Sequence, residues 1–231
     1  MDEARYQLLV RVAIILTVAW IGWMFYDTDL QETKPGAHEL AAADRYLEDG
    51  QFGNAVDLFS KVYAEDENNI GALRGMAQSH MRLGLQQRVE ALQLEQQNNE
   101  EKAGAVRAES ARHLQTARAL YDNSIKRERA IGISDANRRA LGVAYANRGI
   151  LRDQLADYTG ALNDYREAVK LAPEVKQGPD FLTRFMRNQP EKPPSVADRA
   201  RYLEEQLAKP PAERLMRQPD KDAKQQSYRL E

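Results

Sequence analysis

The sequence predicts an all-α protein: an N-terminal transmembrane helix, a short helical-repeat solenoid with an inserted long helical hairpin, and a proline-rich C-terminal arm. Three observations carry this expectation. Ala, Leu, Gln, Glu and Arg dominate, while β-branched residues are sparse beyond the first thirty positions, a balance that favours helix over strand. An unbroken apolar run lies near the N-terminus, and beyond it small and aromatic residues return at a fixed period.

Residues 1–7 form a short polar tail, and the first element is residues 8–26, LLVRVAIILTVAWIGWMFY, interrupted only by Arg11 and Thr17. At 1.5 Å per residue such a helix reaches about 28 Å, enough to cross a hydrocarbon core and contact the lipid bilayer directly. Arg11 stands within a turn of the start, where its long side chain can reach the headgroups, and Trp20, Trp23 and Tyr26 gather at the far end as an interfacial aromatic belt. A cleaved leader would carry a shorter apolar core and a small-residue cleavage site, whereas YDTDLQE follows here, so an uncleaved anchor is expected. Arg5 and Arg11 flank the start while Asp27, Asp29 and Glu32 precede the first lysine, Lys34, so the positive-inside rule puts the N-terminus in the cytoplasm. The expected location is then the bacterial inner membrane, single-pass, with the C-terminal domain in the periplasm. No N-x-S/T sequon argues for a eukaryotic secretory route. Residues 27–37 read as a linker.

The helical-repeat domain spans residues 38–175. Ala43, Tyr46, Gly50, Ala55 and Phe59 recur 34 residues later as Ala77, His80, Gly84, Val89 and Gln93, with the match fading at the last two. In a third copy Gly149, Ala161, Tyr165, Ala168 and Pro173 stand at matching offsets. Two helices of a hairpin approach most closely where both carry Gly or Ala, as at Ala43 with Ala55 and Gly149 with Ala161; Phe59 and Tyr165 then fill the space beside each crossing. This pattern resembles the tetratricopeptide repeat family, in a membrane-anchored form, over the copies at residues 36–69, 70–94 and 142–175.

An insertion covers about residues 86–129. Its apolar positions keep helical spacing on both sides of the polar stretch LEQQNNEEKAG, which predicts two helices meeting near Asn98–Glu101. The second, about Lys102 to Arg129, would run antiparallel to Asp135–Leu155. Such a hairpin either covers an end of the stack or projects to dock on a partner. EDENN at Glu65–Asn69 reads as a turn, since it lacks the alternating ligands and terminal glutamate of a calcium loop.

Residues 176–231 are expected to be a capping helix and an extended arm. GPDFLTRFMRN places Phe181, Leu182, Phe185 and Met186 on one side of a short helix, a plausible cover for the last repeat. Pro190, Pro193 and Pro194 then force extended geometry, Ser195 with Asp198 resembles an N-terminal capping pair, and VADRARYLEEQLAK reads as a further helix before Pro210–Pro211. The final QPDKDAKQQSYRLE is polar enough to be mobile in isolation. Phe181 and Phe185 are the arm's candidate partner contacts.

The composition excludes several functions. Without cysteine there are no disulfides and no thiolate-ligated metal sites, and a net charge of −2 supplies no positive field for nucleic acid. Only three histidines are present, widely separated in sequence, and no nucleophile elbow, zinc-protease, Walker or dinucleotide motif occurs. No catalytic residue, no cofactor and no metal ion is therefore expected, and an enzyme is not.

The family resemblance implies a function of another kind. In tetratricopeptide proteins the first helix of each hairpin lines a groove that takes peptides or helices, so the resemblance implies a scaffold or accessory subunit of a membrane-associated complex. Carried over by offset, that face comprises Leu40, Asp44, Leu47 and Glu48, then Arg74, Gln78, Met81 and Arg82, then Val143, Ala146, Ile150, Asp153 and Gln154. Lysine and asparagine clamps for a peptide carboxylate are replaced here by Leu40 and Asp44, which speaks against a chaperone-type ligand. Arg74, Gln78 and Arg82 form one stripe at helical spacing, able to meet an acidic or amide-rich partner protein. The competing expectations are a self-oligomerising structural protein of the envelope, a homo-oligomer joined by the long hairpin, and an envelope-biogenesis assembly or chaperone-like factor.

Overall fold

The first helix, α1 (Glu3–Leu30), is longer than the apolar run inside it. Its stretch Tyr6–Trp23 is long and apolar enough to cross a membrane, and none of that stretch is buried. Arg11, Trp20 and Trp23 are all exposed on it. The helix begins inside the predicted tail and continues through Asp27–Leu30 into the predicted linker, because no proline or glycine stands between Trp23 and Leu30 and a nucleated helix propagates until something stops it. The computed structural model describes residues 3–30, 36–176, 194–222, 225, 227 and 228, and no strand occurs among them. The chain divides into two units, Met1–His38 and Glu39–Glu231.

The second unit is built from three successive helical hairpins: α2 (Ala37–Glu48) with α3 (Phe52–Glu65), α4 (Ile70–Gln96) with α5 (Glu100–Ile131), and α6 (Arg138–Gln154) with α7 (Tyr158–Leu171). All three close with the same turn. Gly50, Asn98 and Ala156 adopt left-handed φ values of 75°, 58° and 62°. The next amide reaches back five residues each time: Gln51 donates to the Tyr46 carbonyl at 2.8 Å, Asn99 to Leu94 at 2.9 Å and Asp157 to Arg152 at 2.8 Å. Glycine fits that conformation freely, which is why the DG of residues 49–50 ends α2. New helices then start on side-chain caps, Asn69 accepting from the Ala72 amide and Asp157 from the Gly160 amide, both at 3.0 Å.

Within the first and third hairpins the predicted crossings are present. Ala43 and Ala55 are fully buried with Phe59 in one cluster, and Ala161 and Tyr165 in another. A Cβ at Gly149 would lie 2.6 Å from the Tyr165 ring, so the α6–α7 approach admits no side chain there.

The second hairpin departs from the expected register. Gly84 is not a turn, as its counterpart Gly50 is. It sits inside α4, with Leu114 packed against it and the Ser110 hydroxyl donating to its carbonyl at 2.6 Å. The helix therefore runs on to Gln96, and α5 supplies its antiparallel partner. The predicted insertion at residues 86–129 is thus the distal half of α4 and most of α5, a lengthened hairpin rather than an added one. Ala77, Met81, Leu114, Ala117 and Tyr121 form its core. Val89 and Gln93, at the faded positions of the second copy, are exposed. Helix α5 then runs antiparallel to α6 as predicted, Arg129 donating to the Tyr145 hydroxyl at 2.6 Å and Arg148 to Asp122 at 2.8 Å.

Beyond α7 a short 3-10 turn (Pro173–Lys176) and α8 (Val196–Leu207) cover the last hairpin. Ser195 and Asp198 form the predicted capping box at the start of α8. The predicted capping helix with Phe181 and Phe185 lies outside the described residues. Past α8 come a 3-10 turn (Pro211–Glu213) and α9 (Pro219–Asp222), and farther on Tyr228 packs against the cluster that holds Ile150, Val175 and Val196.

Candidate functional site

The first helices of the three hairpins, α2, α4 and α6, line one groove of about 320 Å³. Leu40, Asp44, Leu47 and Glu48 contribute from α2, Arg74 and Gln78 from α4, and Val143 with Asn147 from α6. Several of these positions follow from the repeat offsets. Asn147 does not, and it is the residue around which the site is organised.

Asn147 lies four residues beyond Val143 on α6, so it shares that groove-facing side, and it is almost wholly buried. Its side-chain amide donates to the Tyr228 carbonyl at 3.0 Å, and its side-chain carbonyl accepts from the Tyr228 amide at 2.7 Å. Both bonds engage the main chain of one residue. A backbone presents its N–H and C=O together on one edge only when extended, so this amide pair fits the main chain of an extended residue and reads no particular side chain.

One turn of α4 away, Gln78 donates to the same Tyr228 carbonyl at 3.3 Å and to the Ser227 hydroxyl at 3.1 Å. Farther along, Gln225 donates to the Tyr165 hydroxyl at 3.5 Å. The Tyr228 side chain is held at its tip: its hydroxyl accepts from the Val196 amide and donates to the Val175 carbonyl, both at 3.1 Å. Burial pushes the Tyr228 phenol above its ordinary value, with the Val196 amide opposing and the Asp198 carboxylate adding to the rise. It is therefore a neutral hydroxyl, able to donate and accept at once. At the floor of the groove the Tyr121 hydroxyl is buried, which pushes its phenol well above the ordinary value against the pull of Asn147 and Arg74.

The remaining sequence-predicted contact residues have structural engagements. Arg74 forms a hydrogen-bonded ion pair with Glu128 of α5, largely out of solvent, and burial pushes the Glu128 carboxyl up while Arg74 opposes it. Arg82 lies over the Phe52 ring, 5.2 Å from its centre. Asp153 receives two bonds from Arg199 of α8, at 2.6 and 2.8 Å, and a third from the Tyr165 hydroxyl at 3.2 Å. The Gln154 carbonyl accepts from Arg88 and Arg217, each at 3.1 Å. Of the predicted stripe, Gln78 meets the segment that carries Tyr228.

Two further clusters escape sequence reasoning. Arg148 holds Asp164 through two bonds, at 2.8 and 2.6 Å, and also Asp122, locking α5, α6 and α7 together; burial pushes the Asp164 carboxyl up against the pull of Arg148. His80 and His113 face each other across α4 and α5 with their Nδ1 atoms 2.8 Å apart. Burial, then the neighbouring His113, pulls His80 below its ordinary value. The pair has room for one proton between the two nitrogens, and its two residues stand at similar distances from the Asn98 turn, a spacing that could have revealed it. No group of three or more His, Cys, Asp or Glu that could hold a metal ion occurs among the described residues.

Comparison with protein-family models, with curated proteins and with solved structures found no match to this chain.

Proposed function

We propose that this chain is a membrane-anchored adaptor of the tetratricopeptide type, which binds extended segments of partner proteins in the groove of α2, α4 and α6 and serves as a scaffold or accessory subunit of a membrane complex. The observation that carries this reading is the pair of hydrogen bonds from Asn147 to the main chain of Tyr228. A buried amide aimed into a groove and paired with a passing backbone is a peptide-binding device. Binding is also supported by the chemistry of the face, where amides and hydroxyls meet a backbone. Helix α1 supplies the anchor. Its flanking charges favour a cytoplasmic N-terminus, hence a bacterial inner membrane with the groove in the periplasm.

The test uses the full chain in detergent. Tyr228→Ala loosens the resident segment, and a fluorescent peptide with the sequence of residues 219–231 is then titrated in. Saturable binding is expected, and it should vanish when Asn147→Ala is added to the same chain while the helical circular dichroism stays unchanged. Absence of saturable binding to the Tyr228→Ala chain would refute the peptide groove.

A further inference from the structure

Three features of the arm bear on what the groove selects. The Tyr228 hydroxyl bridges two main-chain groups that have no ready substitute. The Val196 amide is the first of α8 and so lacks a partner within its own helix, and the Val175 carbonyl belongs to the short 3-10 turn of Pro173–Lys176. Val175 and Val196 are buried, so water has little access to either group once an aromatic ring fills the space above them. A phenylalanine ring of the same shape would leave one buried donor and one buried acceptor unpaired. The backbone of the same residue is meanwhile held by Asn147 whatever its side chain, so strand geometry and tyrosine identity are read by separate groups.

We propose that Asn147 at the edge of the groove, together with the Val175 carbonyl and the Val196 amide beside it, forms a tyrosine-selective site for an extended segment of a partner protein, and that the chain's own Tyr228 segment is the resident competitor such a partner must displace. This rests on the peptide-groove reading given above and names the ligand chemistry of that site. Selectivity arises because a pocket built to bond a hydroxyl rejects the analogue without one far more strongly than an apolar pocket rejects a lost methylene. Competition arises because the arm is tethered. A competitor that belongs to the same chain is present at a high effective concentration, so a partner must bind considerably tighter than the arm to replace it.

The proposal is tested with the full chain in detergent and two fluorescent peptides covering residues 219–231, one with tyrosine at position 228 and one with phenylalanine. On the Tyr228→Ala chain, the tyrosine peptide should bind at least about tenfold more tightly than the phenylalanine peptide. On the unmodified chain, the tyrosine peptide should bind at least about tenfold more weakly than on Tyr228→Ala. Equal affinity for the two peptides would overturn tyrosine selectivity while leaving the peptide groove standing. Equal affinity of the two chains for the tyrosine peptide would overturn the resident competitor. Failure of both peptides to bind the Tyr228→Ala chain would remove the groove reading and this proposal with it.

Discussion

Asp153→Ala is expected to destabilise the helical-repeat unit by about 3–5 kcal/mol, a large fraction of the roughly 5–15 kcal/mol of a typical domain. Asp153 and Arg199 are 2% and 4% exposed, so the substitution leaves a buried guanidinium without its carboxylate and also strips the Tyr165 hydroxyl of its acceptor. The loss should appear as a lowered denaturation midpoint of the full chain in detergent, with α8 released first. A control is present on the same helix α8. Arg166 of α7 and Glu204 of α8 are joined at 2.6 Å, yet their side chains are more than half exposed, so Arg166→Ala should cost no more than about 1 kcal/mol. Replacing Asp153 and Arg199 together by leucine and methionine should recover much of the loss, because the cost lies in the stranded charge rather than in the pair's own strength.

Gly149→Leu is expected to cost about 3 kcal/mol through overpacking at the α6–α7 crossing. The first atom of the new side chain would already stand 2.6 Å from two carbons of the Tyr165 ring and 3.3 Å from the Asp164 Cβ. Neither neighbour can retreat easily: Tyr165 is fully buried with its hydroxyl tied to Asp153, and Asp164 is held by Arg148. Gln96→Leu, on the exposed end of α4, should move the melting temperature little, since surface changes usually stay within about 0.5 kcal/mol. Equal melting temperatures for the two variants would show that α6 and α7 do not cross at Gly149.

What could be read from the sequence was what local chemistry and spacing determine. Small residues twelve apart with an aromatic four beyond located the crossings of α2 with α3 and of α6 with α7, because only a close helix approach requires that combination. Ser195 with Asp198 fixed the start of α8 for the same reason: a capping box is written in three consecutive steps of chain. The apolar run in α1 needs no partner to be recognised.

Gly84 shows where that reasoning runs out. A glycine can end a helix through a left-handed φ or admit a neighbour against a continuous one, and the residue alone does not distinguish these uses. At Gly50 the first applies, and at Gly84 Leu114 of α5 decides the second. The site was harder still. Asn147 sits in an unremarkable ANRG stretch, and its role exists only because Tyr228 returns to it from 81 positions later. Arg74 and Asp153 were legible as residues of the first-helix face, but whether a charge on such a face meets solvent or a buried counter-charge depends on α5 and α8, whose contacts no periodicity records.

The account stands or falls on Asn147 holding an extended segment, and amide hydrogen exchange at Tyr228 measures that bond directly. In the full chain the Tyr228 amide, donated to the Asn147 side chain at 2.7 Å, should exchange at least about tenfold more slowly than in the free peptide of residues 219–231, and Asn147→Ala should return it to the free rate. Exchange at the free-peptide rate in the unmodified chain would contradict the account.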